Sequence, residues 1–339
     1  MKAAYLIKYG NAEKAFQIRE ADKPRPKSNQ VLIKVEAFGL NFADVMARLR
    51  LYKAAPPLPA ILGYDVVGRI EEIGAKVNHV KLGDRVVALT KFGGYAEFAL
   101  ADMEVVHKIP DSFSAGVAVA LATQYSTAYY LSHNMANLQE HDNVLIHAAA
   151  GGVGTALVQM ALLKKCIVFG TCGSQEKVAY LKKNGVQYPI NYRINDFEKV
   201  IGNIMQNKGI DAAFDPVGGS SIKKDFRLLG AGGRVLSFGF SSMNKTKTIF
   251  GKLRVLLQFG LYHPVQFLSG SKGMIGVNML KVAEENPKKI AKVMQEVIRL
   301  TDTKILKPHI GGEYQVEQLA EAHTFLESRE SMGKIVVKW

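Results

Sequence analysis

The sequence predicts an α/β protein in which a β-rich region gives way to a doubly wound parallel sheet. Three observations carry that expectation. The run Val144-Leu-Ile-His-Ala-Ala-Ala-Gly-Gly-Val-Gly154 passes from an apolar strand through a small-residue turn into a helix-compatible segment, Thr155 to Lys164. From there strand and helix patterns alternate for more than a hundred residues, as in a parallel sheet covered on both faces. Finally, 339 residues are too many for one ordinary core, so two domains are expected.

In chain order, the first third reads as short strands: Met1 to Ile7, Val31 to Phe38, Val66 to Ile73, Arg85 to Leu89 and Gly94 to Ala99. They are rich in Val, Ile or aromatics and punctuated by Gly and Pro, as in a barrel or sandwich. Pro24 and Pro26 break one connection, and Pro56, Pro57 and Pro59 stiffen another. From Ala115 the segments become Ala-rich. The alternation then runs through strand 144–149, helix 154–164, strand 166–170, helix 175–184 and a short strand near Ile190. A helix from Asp196 to Met205, strand Ile210 to Phe214, helix Ser221 to Leu229 and strand Arg234 to Phe238 continue it. Met274 to Asn278 reads as the last strand of that sheet. A helix over 287–299 and a strand Gly333-Lys-Ile-Val-Val337 follow.

The turn fits Ala149-x-Gly151-x-x-Gly154, the dinucleotide fingerprint with Ala in place of its first glycine. Ala149 permits a tight exit from the strand, Gly151 lets backbone approach a pyrophosphate, and Gly154 lets the helix pack close to the sheet. The helix N-terminus then faces the phosphates. A bare connecting turn is the alternative, and the strand–helix context argues against it. An NAD-binding chain offers Asp or Glu to the ribose about 20 residues further on. This chain offers Thr171-Cys-Gly-Ser-Gln-Glu-Lys177, where no acid closes the strand and Glu176 falls at the start of the next helix. Ser174 and Lys177 are candidate donors to a 2′-phosphate, although Lys177 also suits a surface position. The expected cofactor is NADPH.

Composition places the chain among globular proteins, with 48% hydrophobic and 22% charged residues. Neither a secretory leader nor the ~20 apolar residues of a membrane span is evident. Only two cysteines, Cys166 and Cys172, are present and they lack metal-ligand spacing, so a reduced cytoplasmic setting is expected. The formal charge of +14 attracts anions, but the lysines are scattered doublets such as Lys164-Lys165 and Lys223-Lys224. Nucleic acid is not an expected partner. His147, inside an apolar strand, reads as a core histidine.

Further motifs carry a resemblance over essentially the whole chain: Gly39-Leu-Asn-Phe-Ala-Asp44, Leu51-Tyr52 before the proline cluster, Gly63-Tyr-Asp-Val-Val-Gly68, Gly83-Asp-Arg-Val86, Gly93-Gly-Tyr-Ala-Glu97, Asp215-Pro-Val-Gly-Gly219 and Gly333-Lys334. With the glycine turn they resemble the medium-chain dehydrogenase/reductase superfamily, within it the zinc-independent quinone oxidoreductases, and especially the vesicle amine transport protein branch. The resemblance implies a Rossmann dinucleotide-binding domain (121–279) inserted into a GroES-like β-barrel catalytic domain (1–120 and 280–339), with the active site in the cleft. It places Asn41 beside the nicotinamide and Tyr52 along the substrate cleft, where Tyr52 is equally readable as a packing aromatic. Thr127 falls near the nicotinamide end, and Gly151, Gly152, Val153 and Gly154 at the pyrophosphate. Gly173, Ser174, Lys177 and Tyr192 surround the 2′-phosphate, although Tyr192 also suits a cover for the sheet edge. Val217, Phe238, Gly239 and Ser241 line the remaining groove, and Lys334 approaches from the C-terminal segment. Asp44 reads as a cap for the helix starting near Phe42.

Zinc-dependent relatives carry a cysteine where this chain has Gly39-Leu-Asn41, and Gly-His-Glu where it has Gly63-Tyr-Asp65. No metal site is expected. The implied activity is NADPH-dependent hydride transfer to a small hydrophobic quinone or conjugated enone. The alternatives are a 2-enoyl thioester reductase and a peripheral lipid-binding or adaptor protein with little turnover. A homodimer is expected through the edge strand Gly273 to Asn278. The segment Ile249 to Ser269 mixes apolar residues (Leu253, Leu256, Leu257, Leu261) with Lys252, and the flanking Lys245 and Lys247 add positive charge. It reads either as a helix over the substrate cleft or as a weak contact with an anionic membrane surface, with Pro264 ending the helix.

Overall fold

The computed structural model describes residues 1–206, 208–242, 251 and 257–339. The chain divides into two compact units, Met1–Ser126 with Leu280–Trp339, and Thr127–Met279.

The inserted unit holds a parallel six-stranded sheet. Its strands are β9 (Asn143–Ile146), β10 (Ile167–Cys172), β11 (Tyr188–Asn191), β12 (Ile210–Asp215), β13 (Leu229–Ser237) and β14 (Gly273–Gly276). They lie in the order β11-β10-β9-β12-β13-β14, and every neighbouring pair is parallel. Taking β9 as the first strand, this is 3-2-1-4-5-6, the order that reverses direction between the first and fourth strands and opens a ligand crevice there. Helices Gly152–Leu163, Gln175–Lys183, Phe197–Met205 and Ser220–Leu228 make the connections. Leu145, Phe169, Ala213 and Val235 from the four central strands are fully buried, so near-continuous apolar runs form the sheet interior.

The first unit is antiparallel for most of its extent. Its strands include β1 (Lys2–Leu6), β2 (Phe16–Glu20), β3 (Gln30–Leu40), β4 (Ala60–Ile61), β5 (Asp65–Ile73), β6 (Arg85–Leu89), β7 (Phe98–Asp102) and β8 (Val106–Lys108). The C-terminal segment adds β15 (Ile310–Gln315) and β16 (Lys334–Lys338). The main sheet runs β15-β16-β3-β5-β6-β8, with β7 also paired to β3, and a small sheet runs β2-β1-β4. β16 pairs antiparallel with β3 so that Val336 faces Gly39. Phe38 and Tyr95 stack at 4.5 Å in the core of this unit.

Three expectations need correction. The strand read at Gly94 to Ala99 is displaced to Phe98–Asp102. Gly93 has φ +88 and a Cβ on Gly94 would meet Gly63 and Val66, so this stretch turns instead of extending. β2, β4, β8 and β15 were missed, β2 because four of its five residues are exposed and present no apolar face. Pro264 opens a further helix, Pro264–Gly270, after the helical residues 257–259 have already ended. A proline in the first helical turn lacks an N–H that would have no partner there anyway. Residues 249, 250 and 252–256 of the Ile249 to Ser269 segment, Leu253, Leu256 and Lys252 among them, lie outside the described residues, as do the flanking Lys245 and Lys247. The Ala-rich segment is helical, with π-helical turns at Leu121–Tyr125 and Tyr130–Met135.

Candidate functional site

In the inserted unit, β9 ends in a turn where Ala148 adopts φ +50 and the Gly151 amide donates to the Ala148 carbonyl at 2.8 Å. Gly151 is the N-cap of the helix Gly152–Leu163 and brings no capping side chain. The first amides of that helix therefore lack intrahelical acceptors and face outward with the positive end of the dipole. A Cβ on Gly154 would stand 2.2 Å from the Ala148 carbonyl oxygen, a distance no side chain tolerates. The glycine thus sets how closely helix and strand exit approach, and Gly152 and Val153 lie at the mouth of the helix.

The end of β10 gathers a second group. Ser174 caps the helix Gln175–Lys183, its hydroxyl accepting from the Lys177 amide at 3.3 Å. A Cβ on Gly173 would lie 2.7 Å from the Tyr192 hydroxyl and 3.6 Å from Arg193 Nε. Gly173, Ser174, Lys177, Tyr192 and Arg193 therefore share one corner, and no acidic side chain ends β10. Arg193 was missed by the sequence reading. Its signal was its place directly after Tyr192, past the end of β11.

Asp215, at the end of β12, organises a third loop. Its carboxylate accepts from the amides of Val217 and Gly218 and from the Ser221 hydroxyl. Gly218 and Gly219 take φ +72 and +69. The loop is tied to the end of β13 by Ser241 N donating to Pro216 O at 3.1 Å and Phe238 N to Asp215 O at 3.0 Å. Val217, Phe238, Gly239 and Ser241 are thereby brought together. Thr127 is buried where the inserted unit begins. His147 is buried as expected, but it ion-pairs with Asp225, and His147, Asp215 and Asp225 bring ligand atoms within 4.8 Å of one another.

In the first unit, Asn41, Asp44, Asp65 and Lys334 form one buried network. Lys334 Nζ donates to Asp65 Oδ2 at 2.8 Å and to Asn41 Oδ1 at 3.1 Å. The Asn41 side chain donates to Asp65 Oδ2 at 3.0 Å, and the Asn41 amide donates to Asp44 Oδ2 at 2.9 Å, so Asp44 caps the helix Phe42–Arg48. Gly39 leaves room for this: a Cβ there would meet Lys334 Cε at 2.1 Å. Burial pushes the Asp44 carboxyl up to about 7. The Asn41 hydrogen bond and Lys334 pull it the other way, while Asp65 adds to the rise. Tyr52 is half-buried, its ring edge-on to Tyr64 at 6.2 Å, and burial raises its phenol. Lys334 is wholly enclosed in this network, a setting the sequence pattern did not disclose.

Comparison with known proteins agrees with this architecture. The alcohol dehydrogenase GroES-like domain family matches residues 27–111, and the zinc-binding dehydrogenase family matches residues 152–296. The chain belongs to the medium-chain dehydrogenase/reductase superfamily of oxidoreductases. A synaptic vesicle membrane protein VAT-1 homolog of Danio rerio is 32% identical over 99% of this chain and 69% of its own length. A human quinone oxidoreductase is 31% identical over 99% of this chain and 97% of its own. The crystal structure of an Escherichia coli quinone oxidoreductase complexed with NADPH has a TM-score of 0.88 at 26% identity, covering both chains completely.

Proposed function

We propose that this protein is an NADPH-dependent reductase that passes hydride to a quinone or conjugated enone without zinc. The observation that carries the cofactor is the acid-free corner at the end of β10, where Ser174, Lys177, Tyr192 and Arg193 stand around Gly173. A 2′-phosphate brings close to two negative charges and needs donors with no repelling carboxylate. The E. coli relative's NADPH complex and the fingerprint turn support the same reading. The uncapped helix at Gly152 and the cradle at Gly151 and Gly154 suit a pyrophosphate.

The zinc in the matching family's name does not fit the residues present. Gly39-Leu-Asn41 offers no thiolate, Tyr64 stands where the resemblance places histidine, and Asp65 is already paired with a buried ammonium. A divalent cation at Asp65 would meet the repulsion of the Lys334 ammonium already bonded there. NADPH, when bound, supplies the hydride. The chain's tasks are to hold and orient it, Asn41 at the nicotinamide and Tyr52 at the substrate being the assigned roles, and to exclude water. Solvent can supply the proton that completes reduction of a quinone.

We also infer that copies pair through the β14 edge, and that exposed Leu257, Leu261, Val265 and Leu268 either cover substrate or touch an anionic membrane surface. Flotation with anionic liposomes at low salt separates those two roles. The function itself is tested by NADPH and NADH oxidation against panels of quinones, enones and acyl thioesters. Turnover with quinones and NADPH supports the proposal. Tight NADPH binding with no turnover on any panel would favour the adaptor reading, and NADH preference would overturn the cofactor assignment.

A further inference from the structure

His147 follows β9, two residues before the glycine turn, and its backbone continues the ladder by donating to Phe214 O at 3.0 Å. Its ring is held at both nitrogens. Nδ1 lies 3.0 Å from the Thr171 hydroxyl, on β10 just before Gly173, and Nε2 lies 2.8 Å from Asp225 Oδ1. Asp225 belongs to the helix Ser220–Leu228, and its second oxygen has no hydrogen-bond partner. That helix starts at the Asp215 loop, where Ser221 donates to both Asp215 and the Gly218 carbonyl. His147, Asp225 and Asp215 are all at least nine-tenths buried. One histidine, just ahead of the glycine turn, thus reaches the Gly173–Ser174 corner through Thr171 and the helix that follows the Asp215–Gly219 loop through Asp225.

We propose that His147, with Asp225 and Asp215, is a positioning unit for dinucleotide binding: an internal imidazolium that clamps these loops in register and loosens them when it loses its proton. The proposal rests on reading the glycine turn as a dinucleotide site. A packed hydrophobe could hold the same strands together. What it could not do is offset the charge of the buried Asp225 carboxylate, and an uncompensated buried charge is strongly unfavourable.

The surroundings support a charged ring. Burial acts to lower its pKa, but the charge and hydrogen bond of Asp225, with Asp215 behind it, outweigh that and push His147 up to about 9. Burial lifts Asp225 itself to about 7 against the pull of the histidine, so both partners are charged between those values. The other elements packed around it bring little opposing charge. The helix Phe197–Met205 presents the Phe197 ring, edge-on at 4.8 Å. Lys224 lies over that ring at 5.2 Å and is itself paired with Asp196 at 2.8 Å. β10 presents the neutral Thr171. Tyr262 faces Asp225, and its phenol is raised by burial and by that carboxylate, so it stays neutral. The three ligand atoms are also close enough to hold a metal ion, a role the imidazolium makes unnecessary.

The test uses the full chain and measures NADPH and NADH affinity by fluorescence titration from pH 7.5 to 10. Above the histidine's pKa the charged fraction falls tenfold per pH unit, so affinity for both dinucleotides should drop by up to about tenfold by pH 10. His147→Asn should weaken both equally at pH 7.5 and abolish that alkaline limb. Lys177→Ala should instead weaken NADPH alone and keep the limb. Should His147→Asn fail to fold, Asp225→Asn provides the second variant, and NMR of labelled histidine reads the ring directly in the unmodified protein. Wild-type affinity with an unchanged pH profile in the variants, an imidazole titrating near its ordinary value, or a stoichiometric zinc at this site would each overturn the proposal. If the unmodified protein binds neither dinucleotide, the dinucleotide-site reading fails and the proposal built on it falls. The histidine titration then still reports separately on whether the buried ring is charged.

Discussion

Each of the two units buries a cation between two carboxylates, and the cations differ. In the first unit Lys334 is bonded to Asp65, with Asp44 nearby; in the inserted unit His147 is bonded to Asp225, with Asp215 nearby. A lysine ammonium is a compact point charge on a flexible stem. An imidazole is the side chain whose charge is set by its neighbours near physiological pH. The first cluster therefore anchors Asn41 through a point charge, and the second is a clamp whose cation answers to protons.

The largest effect should come from breaking the Lys334 cluster. Lys334→Met leaves Asp65 charged and enclosed, and urea unfolding should show a loss of about 3–5 kcal/mol. Adding Asp65→Asn should recover much of it. A loss within experimental error for Lys334→Met would erase the distinction between the two clusters.

Next come the pH windows, which sharpen the contrast. Asp44 is raised from 3.8 to about 7 in the folded protein, so the folded state binds the extra proton between those values. Its contribution to stability falls as pH rises from about 4 to about 7, by up to about 4 kcal/mol. His147 is raised from 6.5 to about 9, so its contribution is complete below about 6.5 and is lost as pH rises through about 9. Subtracting the unfolding profile of Asp44→Asn from the unmodified one should show a change confined between about pH 4 and 7. That of His147→Asn should reach up to about 9, because the histidine and the Asp225 it holds titrate on either side of that upper limit of about 7. A His147→Asn difference that ends by about pH 7 would contradict the assignment.

A smaller and more selective effect is expected at the cofactor corner. Lys177→Ala should weaken NADPH by about 10- to 100-fold, the scale of a charge-assisted hydrogen bond, and leave NADH nearly unchanged. Equal losses would move the 2′-phosphate elsewhere, with Arg193 the next residue to replace. Smallest in its effect on folding should be Ile275→Lys on β14, which changes the unfolding free energy by less than about 1 kcal/mol. In sedimentation it should convert a dimer to a monomer, and an unmodified protein that is already monomeric at micromolar concentration would refute pairing through this edge.

What was legible in the sequence was local. The strand, small-residue turn and helix at 144–164 are contiguous, and the absence of an acid after β10 is a matter of neighbouring residues. Asp44 as a cap follows from its place three residues after Asn41. The buried clusters were illegible because their members meet only on folding: Asp65 and Lys334 are 269 residues apart, and His147 and Asp225 are 78 apart. His147 looked apolar by context, since the flanking Leu145, Ile146 and Ala149 belong to the core. Boundaries failed where turn chemistry competed with pattern, as at Gly93-Gly94 and at Pro264.

The pairing of β16 with β3 also has a consequence for the order in which the chain acquires its shape. Ribosomal synthesis delivers β3 early and β16 last, and the bonds joining Arg48 to Glu327, Tyr95 to His323 and Asp65 to Lys334 span 279, 228 and 269 residues. The inserted unit draws all its strands from one uninterrupted stretch, Thr127–Met279, and can complete its sheet as it emerges. The first unit can complete its main sheet and pair Asp65 only once β16 has emerged, so an intervening stretch that has already become compact would shorten the effective loop that β16 must close.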